Sequence, residues 1–223
     1  MSVMKSGVGK ETSATHSAYL ALREMILTGE LPPGQKLKIE QLRNTLETGA
    51  SPVREALSLL TSDLLVERLD QRGFRAAPAS LLNFNEILSL RCVIEDMALR
   101  QSMARATAEW EERLVLAHHR MKRAAADGAI PAFEMAHKTF HMSLLDNANS
   151  PILERYCGQL YDLNIRYRYL AAGQTNYRKR DIAAEHEEIL DATLRGDADA
   201  ASAFLVQHYR STGEYLTAPL SSL

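Results

Sequence analysis

The stretch Gly49-Ala50-Ser51-Pro52-Val53-Arg54-Glu55-Ala56-Leu57-Ser58-Leu59-Leu60 carries the helix signal that decides the fold. Ser51 suits an N-cap, and Pro52 suits the first helical position, where a missing N–H costs nothing. Val53, Leu57 and Leu60 then recur at i, i+4 and i+7 and predict one apolar stripe. Arg54, Glu55 and Ser58 fall off that stripe, so the outward face is short and polar and carries an arginine. A short helix with a packed back and an arginine near its exposed N-terminus can enter a DNA major groove. An ordinary amphipathic helix meets the same pattern, so its neighbours decide.

Upstream, Tyr19, Leu22, Met25 and Ile26 give a helical face that ends at Gly29, and Leu31-Pro32-Pro33-Gly34 breaks the chain. A second short helix follows, with Leu37, Leu42 and Leu46 as its inner side, stopped near Gly49. Two short helices joined by a tight glycine-containing turn form the helix-turn-helix pattern. Downstream, residues 64–69 and 74–77 can pair as strands across Asp70-Gln71-Arg72-Gly73, a hairpin or wing with a basic tip. Arginines at such a tip meet phosphates or the minor groove and position a protein without reading sequence. Residues 1–14, rich in Ser, Gly, Lys and Thr, read as a flexible arm before a domain spanning 15–78.

The 223 residues are 46% apolar and 24% charged, the profile of a globular chain with enough material for real cores. Cys92 and Cys157 have no partner motif and read as free thiols in a reducing cytoplasm. No apolar run approaches the roughly 18 residues of a membrane span, and no secretory leader is visible. The net charge of −2 divides into +1 over residues 1–78 and −3 over the remainder, weak support for a nucleic-acid face.

Pro78-Ala79-Ser80 marks a boundary, with a linker over 79–85. Helices are predicted near 81–106, 108–126, 131–147, 151–171, 177–195 and 198–217, before a tail at 218–223. Short turns at Asp127-Gly128, Asn149-Ser150-Pro151, Ala172-Gly173 and Gly196-Asp197 separate them and imply an antiparallel bundle. The expected fold is therefore mostly α: a winged helix-turn-helix followed by an all-α bundle.

His137 and His141 share one helix face at spacing i, i+4. His186 lies 10 residues before the turn at Gly196 and His208 lies 12 after it. At about 1.5 Å rise per residue, antiparallel packing puts these two at heights of roughly 15 and 18 Å. Imidazoles suit zinc, nickel, copper or iron, and bundle interiors hold such sites. Four unrelated histidines, some exposed and some bonded in a core, fit the spacing as well. His118 and His119 are adjacent on a helix and read as a surface pair.

With these motifs assembled, the chain resembles the GntR family of bacterial transcription regulators. The resemblance rests on Gly29-Glu30-Leu31-Pro32-Pro33-Gly34, on Leu37, Leu42 and Leu46, and on Pro52-Val53-Arg54-Glu55-Ala56-Leu57. Family members usually carry Ser-Arg just before a Thr-Pro-Val-Arg segment, which is Ser51-Pro52-Val53-Arg54 here, so Gly49-Ala50 stand in their place, and Glu40 stands where an arginine is common. Ser51, Arg54 and Arg72 are the DNA-contacting residues the resemblance implies here.

Residues 86–217 resemble the FCD ligand-binding domain of the FadR-like branch, through Leu90-Arg91 with Glu95, Phe140-His141, Asn149, Glu185-His186, Gly196-Asp197 and His208. Metal-binding members place an Asp four residues before the first of three histidines. Here the three match His141, His186 and His208, while His137 stands at the Asp position. The resemblance thus implies a divalent transition metal, zinc or nickel foremost, with coordination open to an effector carboxylate. Arg91 is the implied effector-binding arginine, and Arg166 and Arg168 can also reach the cavity or a dimer partner.

The function expected is a homodimeric cytoplasmic repressor that binds double-stranded operator DNA and responds to a small carboxylate, with no membrane association. The rival expectation is a histidine-rich metalloenzyme fused to a DNA-binding-like module.

Overall fold

The computed structural model describes residues 13–171 and 181–220, the side chains of 218 and 219 excepted. The chain divides into two compact units that meet at Pro78 and Ala79. Most of the arm read over 1–14 lies outside the described residues, as do the Ala172-Gly173 turn and positions 177–180, which the sequence assigns to the fifth bundle helix.

The first unit runs α1 (Ala14–Thr28), β1 (Lys36–Leu37), α2 (Ile39–Thr45), α3 (Ala50–Ser62), β2 (Val66–Leu69) and β3 (Gly73–Ala76). Ser13 caps α1 by accepting from the His16 amide, and Gly29 ends it at φ 85°. The strands order β1-β3-β2, all antiparallel, with Leu37 and Arg68 both opposite Phe74. The hairpin turn needs positive φ at Gln71 and at Gly73, which glycine adopts without strain. Leu22, Ile26, Val53, Ala56, Leu57 and Leu60 are all fully excluded from solvent, so the α3 stripe does pack on α1.

Three local readings are corrected. Gly49, not Ser51, is the N-cap of α3, which puts Ser51 and Pro52 inside its first turn. That turn tolerates Pro52 because its N–H groups lack intrahelical partners, and the first i, i−4 bond runs from Val53 N to Gly49 O. Leu37 belongs to β1, where pairing with Phe74 buries it as well as a helix would. Leu46 caps α2 half-buried, leaving Leu42 as that helix's inward residue.

Among the described residues, the second unit is six helices: α4 (Leu81–Met103), α5 (Ala108–Asp127), α6 (Ile130–Leu145), α7 (Pro151–Ala171), α8 (Ile182–Leu194) and α9 (Ala198–Leu220). Side-chain caps at Ser80, Thr107 and Asp181 start three of them. Most of the stretch read as a linker over 79–85 is therefore the first turn of α4, with Phe84 buried against Tyr167. Likewise α9 continues to Leu220, into what was read as a tail.

α5 packs on α6, α4 packs on α7 and α9, and α8 packs on α9. Their shared core includes Trp110, Leu114, Phe140, Leu144, Cys157, Ile189 and Leu205. Trp110 Nε1 donates to Ser143 O at 2.8 Å, so the indole buries its apolar body with its N–H satisfied. A Cβ on Gly213 would sit 2.2 Å from Leu88 Cδ2, which marks the close approach of α9 to α4. Among the described residues, no helix is long and apolar enough to cross a membrane.

Candidate functional site

α6 buries Glu134, His137, Phe140, His141 and Leu144, a repeat of three and four residues that turns one face inward. The hairpin of α8 and α9 brings His186 and His208 to that face. All four imidazoles are at most 5% exposed. One ligand atom from each lies within 4.8 Å of the others. The Nε2 of His141 is 3.2 Å from that of His137 and 3.2 Å from that of His186. Two imidazole nitrogens bound to one ion at about 2.0–2.1 Å, at angles from 90° to tetrahedral, stand about 2.9–3.4 Å apart. The two pairs about His141 therefore have the spacing of ligands on one ion, and four imidazoles are the donor chemistry of a divalent transition metal.

A second layer holds these rings. His208 Nδ1 is 2.8 Å from Glu185 Oε2. His141 Nδ1 is 3.1 Å from the Tyr209 hydroxyl, which donates to Glu95 Oε2 at 2.5 Å. Arg91 forks onto Glu95, Nε to Oε1 at 2.5 Å and Nη2 to Oε2 at 3.2 Å, and its Nη1 donates to Asn164 Oδ1 at 2.9 Å. On the other side, His137 Nδ1 is 2.6 Å from the Tyr161 hydroxyl and 3.1 Å from Arg168 Nη1. Arg168 Nη2 donates to Glu134 Oε1 at 2.7 Å.

Burial holds the His137 and His141 imidazoles well below their ordinary pKa, reinforced by the Arg168 cation at His137 and by His208 at His141. The rings are thus neutral, the form that ligates. Burial also raises the Glu134 carboxyl, opposed by Arg168. At Arg91 burial works against the charge, but Glu95 and then Tyr209 outweigh it and the pKa rises.

The structure brings His137, His141, His186 and His208 together. Arg91 stands behind them, buried and neutralised by Glu95, reaching His141 through Tyr209. Arg168 contacts the cluster at His137. His118 is a correction: it is 6% exposed and packs on Phe140 at 5.3 Å, while its neighbour His119 is exposed. Glu185 turns from its place beside His186 to reach α9. Tyr161, Tyr209 and Glu134 had no sequence signal of their own, because inter-helix partners leave no fixed spacing; only Glu134, three residues before His137, shared a detectable helix face.

On the first unit, Arg54 is exposed on α3 and Arg72 is exposed at the hairpin tip. Ser51 Oγ donates to Glu55 Oε1 at 3.2 Å, and Thr15 of α1 donates to the other Glu55 oxygen at 2.9 Å. That ties Glu55 to its own domain, beside the outward-facing Arg54. Glu40 pairs with Arg43 at 3.3 Å on an exposed face of α2.

A winged helix and an all-α bundle define the class of winged-helix regulators that carry a helical second domain. Residues 14–75 match the model of the bacterial regulatory proteins of the gntR family, and residues 86–211 match the FCD domain. The chain belongs to the GntR family, in its FCD-bearing branch. It is 34% identical over 206 residues to the HTH-type transcriptional regulator BphR of Paraburkholderia xenovorans, covering 90% of this chain and 84% of BphR. It is 29% identical over 204 residues to the HTH-type transcriptional repressor GlaR of Escherichia coli, covering 88% of this chain and 93% of GlaR. The fold matches the solved structure of E. coli McbR/YncC at a TM-score of 0.81 and 21% identity, over 92% of this chain and 97% of that one. These relatives are transcription regulators and not enzymes, and the metalloenzyme alternative has no support among them.

Proposed function

We propose that this GntR-family transcription regulator is a homodimeric, cytoplasmic repressor whose affinity for operator DNA changes when a small carboxylate binds in the bundle. His137, His141, His186 and His208 would hold a divalent metal, zinc or nickel foremost. The observation that carries this reading is the set of four buried imidazoles converging within 4.8 Å. When bound, the metal supplies a Lewis-acid centre with positions open to oxygen ligands.

The charge count favours an anionic effector. Of the nearby fixed charges, Arg91 is paired with Glu95 and Arg168 with Glu134, burial keeps the His137 and His141 rings neutral, and Glu185 at His208 brings one carboxylate. A dication among them carries more charge than the one Glu185 carboxylate offsets, and an effector carboxylate would neutralise a further part of it. Having His137 where the family usually places an Asp strengthens that demand. Arg91, the anchor implied by the family, would serve an effector only by sharing its fork with Glu95.

In DNA binding, Arg54 would read a base edge from the major groove, with Ser51 at the start of the same helix bonding to the backbone. Arg72 would meet phosphate or the minor groove. A dimer would place two such helices on half-sites about one helical turn apart. Native mass spectrometry of the full chain, with footprinting on DNA flanking its own gene, tests the reading. The expected result is one metal ion per chain and a two-fold footprint. A metal-free chain that footprints nothing would overturn it.

A further inference from the structure

The four histidines have unequal surroundings, and the inequality concerns which ring nitrogen can carry the proton. Tyr209 has one hydroxyl hydrogen, and it goes to Glu95, whose carboxylate is gripped by two Arg91 nitrogens. With that hydrogen committed, the Tyr209 oxygen meets His141 Nδ1 as an acceptor. Nδ1 therefore carries the hydrogen, and the His141 Nε2 lone pair faces His137 and His186. His208 is fixed the same way, its Nδ1 donating to the Glu185 carboxylate. At His137 the polarity reverses. Arg168 Nη1 has only hydrogens to give, and the Tyr161 hydroxyl can give one too, so Nδ1 accepts and the hydrogen sits on Nε2.

We infer that Tyr209 and Glu95, with Arg91 gripping Glu95, are positioning residues that hold His141 as the committed ligand, while Arg168 holds His137 in the non-ligating tautomer. In the metal-free cluster, His137 Nε2–H donates to His141 Nε2. For His137 to ligate, its hydrogen must move from Nε2 to Nδ1, with no net proton gained or lost. Nδ1–H then donates to the Tyr161 oxygen, and Arg168 keeps Glu134 but loses the imidazole. His137 is thus less firmly held than His141 and His208, and Arg91 acts through His141 rather than on an effector. The inference rests on the metal reading above, but the tautomer pattern belongs to the metal-free protein and is testable without any metal.

Ring-nitrogen NMR correlations of the metal-free full chain near pH 8 read the tautomers directly. The expected pattern is Nδ1–H at His141 and His208 and Nε2–H at His137; Nε2–H at His141, or Nδ1–H at His137, overturns the inference. Cobalt(II) titration gives the second readout. Tyr209→Phe should lower cobalt affinity about 10–100-fold and alter the cobalt absorption bands, beyond the fall in metal-free melting point expected from the two buried hydrogen bonds it removes. Arg168→Met should leave affinity unchanged or raise it. Wild-type affinity in Tyr209→Phe, or an equal loss in Arg168→Met, would sink the assignment. If the wild type takes up no cobalt, the metal reading fails, and the tautomers are judged by NMR alone.

Discussion

Removing the His141 imidazole should abolish metal-dependent stabilisation of the bundle. Its Nε2 is 3.2 Å from two of the other three ligand nitrogens, so it sits at a corner shared by two close pairs. A metal at 100 times its dissociation constant stabilises the folded state by about 2.7 kcal/mol. For a unit of about 145 residues that is roughly 5–11 °C in melting temperature. His141→Ala should reduce that increment to near zero. It should also cost the metal-free protein about 1–3 kcal/mol, because the Tyr209 hydroxyl loses a buried partner and a cavity opens beside Phe140. Differential scanning calorimetry with and without zinc or nickel measures both quantities. An increment in His141→Ala equal to that of the wild type would refute the assignment, as would a wild type that gains nothing from metal.

Other consequences follow from the same geometry. His137→Ala should retain more metal affinity than His141→Ala, and His137→Asp should restore the usual family ligand set; metal content per chain after dialysis ranks the three. Burial lowers the pKa of His118, His137 and His141 in the folded state, so the unfolded chain takes up protons below about pH 6.5 while the folded one does not. Denaturant titrations should therefore show metal-free stability falling as pH drops below about 6.5; stability flat to pH 5 would contradict this. Arg54→Ala should cost about 1–3 kcal/mol on a specific site, whereas Arg72→Ala should weaken specific and non-specific DNA alike and flatten the salt dependence, read by fluorescence anisotropy. Light scattering at micromolar concentration should give twice the 24.9 kDa chain mass.

Where sequence alone was enough, a local periodicity carried the information. The α3 stripe and the six bundle helices follow from spacings of three and four residues and from Gly, Asp and Pro breaks, and they form close to where they were expected, α8 starting at Ile182 rather than 177 and α9 running to Leu220. The His186–His208 juxtaposition was also legible, because a hairpin about Gly196 converts residue count into height. What the sequence hid were choices made by tertiary partners. Leu37 is apolar in helix or strand, and only the pairing with Phe74 selects the strand. Ser51 is a good cap, but the chain starts the helix two residues earlier, since Pro52 fits anywhere in a first turn. His118 looked exposed beside His119, yet one of any two adjacent helical residues can face inward, and Phe140 received it. The second layer of Tyr161, Tyr209, Glu134 and Glu185 comes from four different helices, with no motif to join them.

The most direct test of the central claim is operator affinity of the full chain at fixed salt, metal-loaded and metal-stripped, across a panel of small carboxylates. At least one carboxylate should shift affinity about 5–150-fold, a coupling of roughly 1–3 kcal/mol, and the shift should vanish on stripping the metal or in His141→Ala. Identical affinities with and without metal, for every carboxylate, would contradict the account.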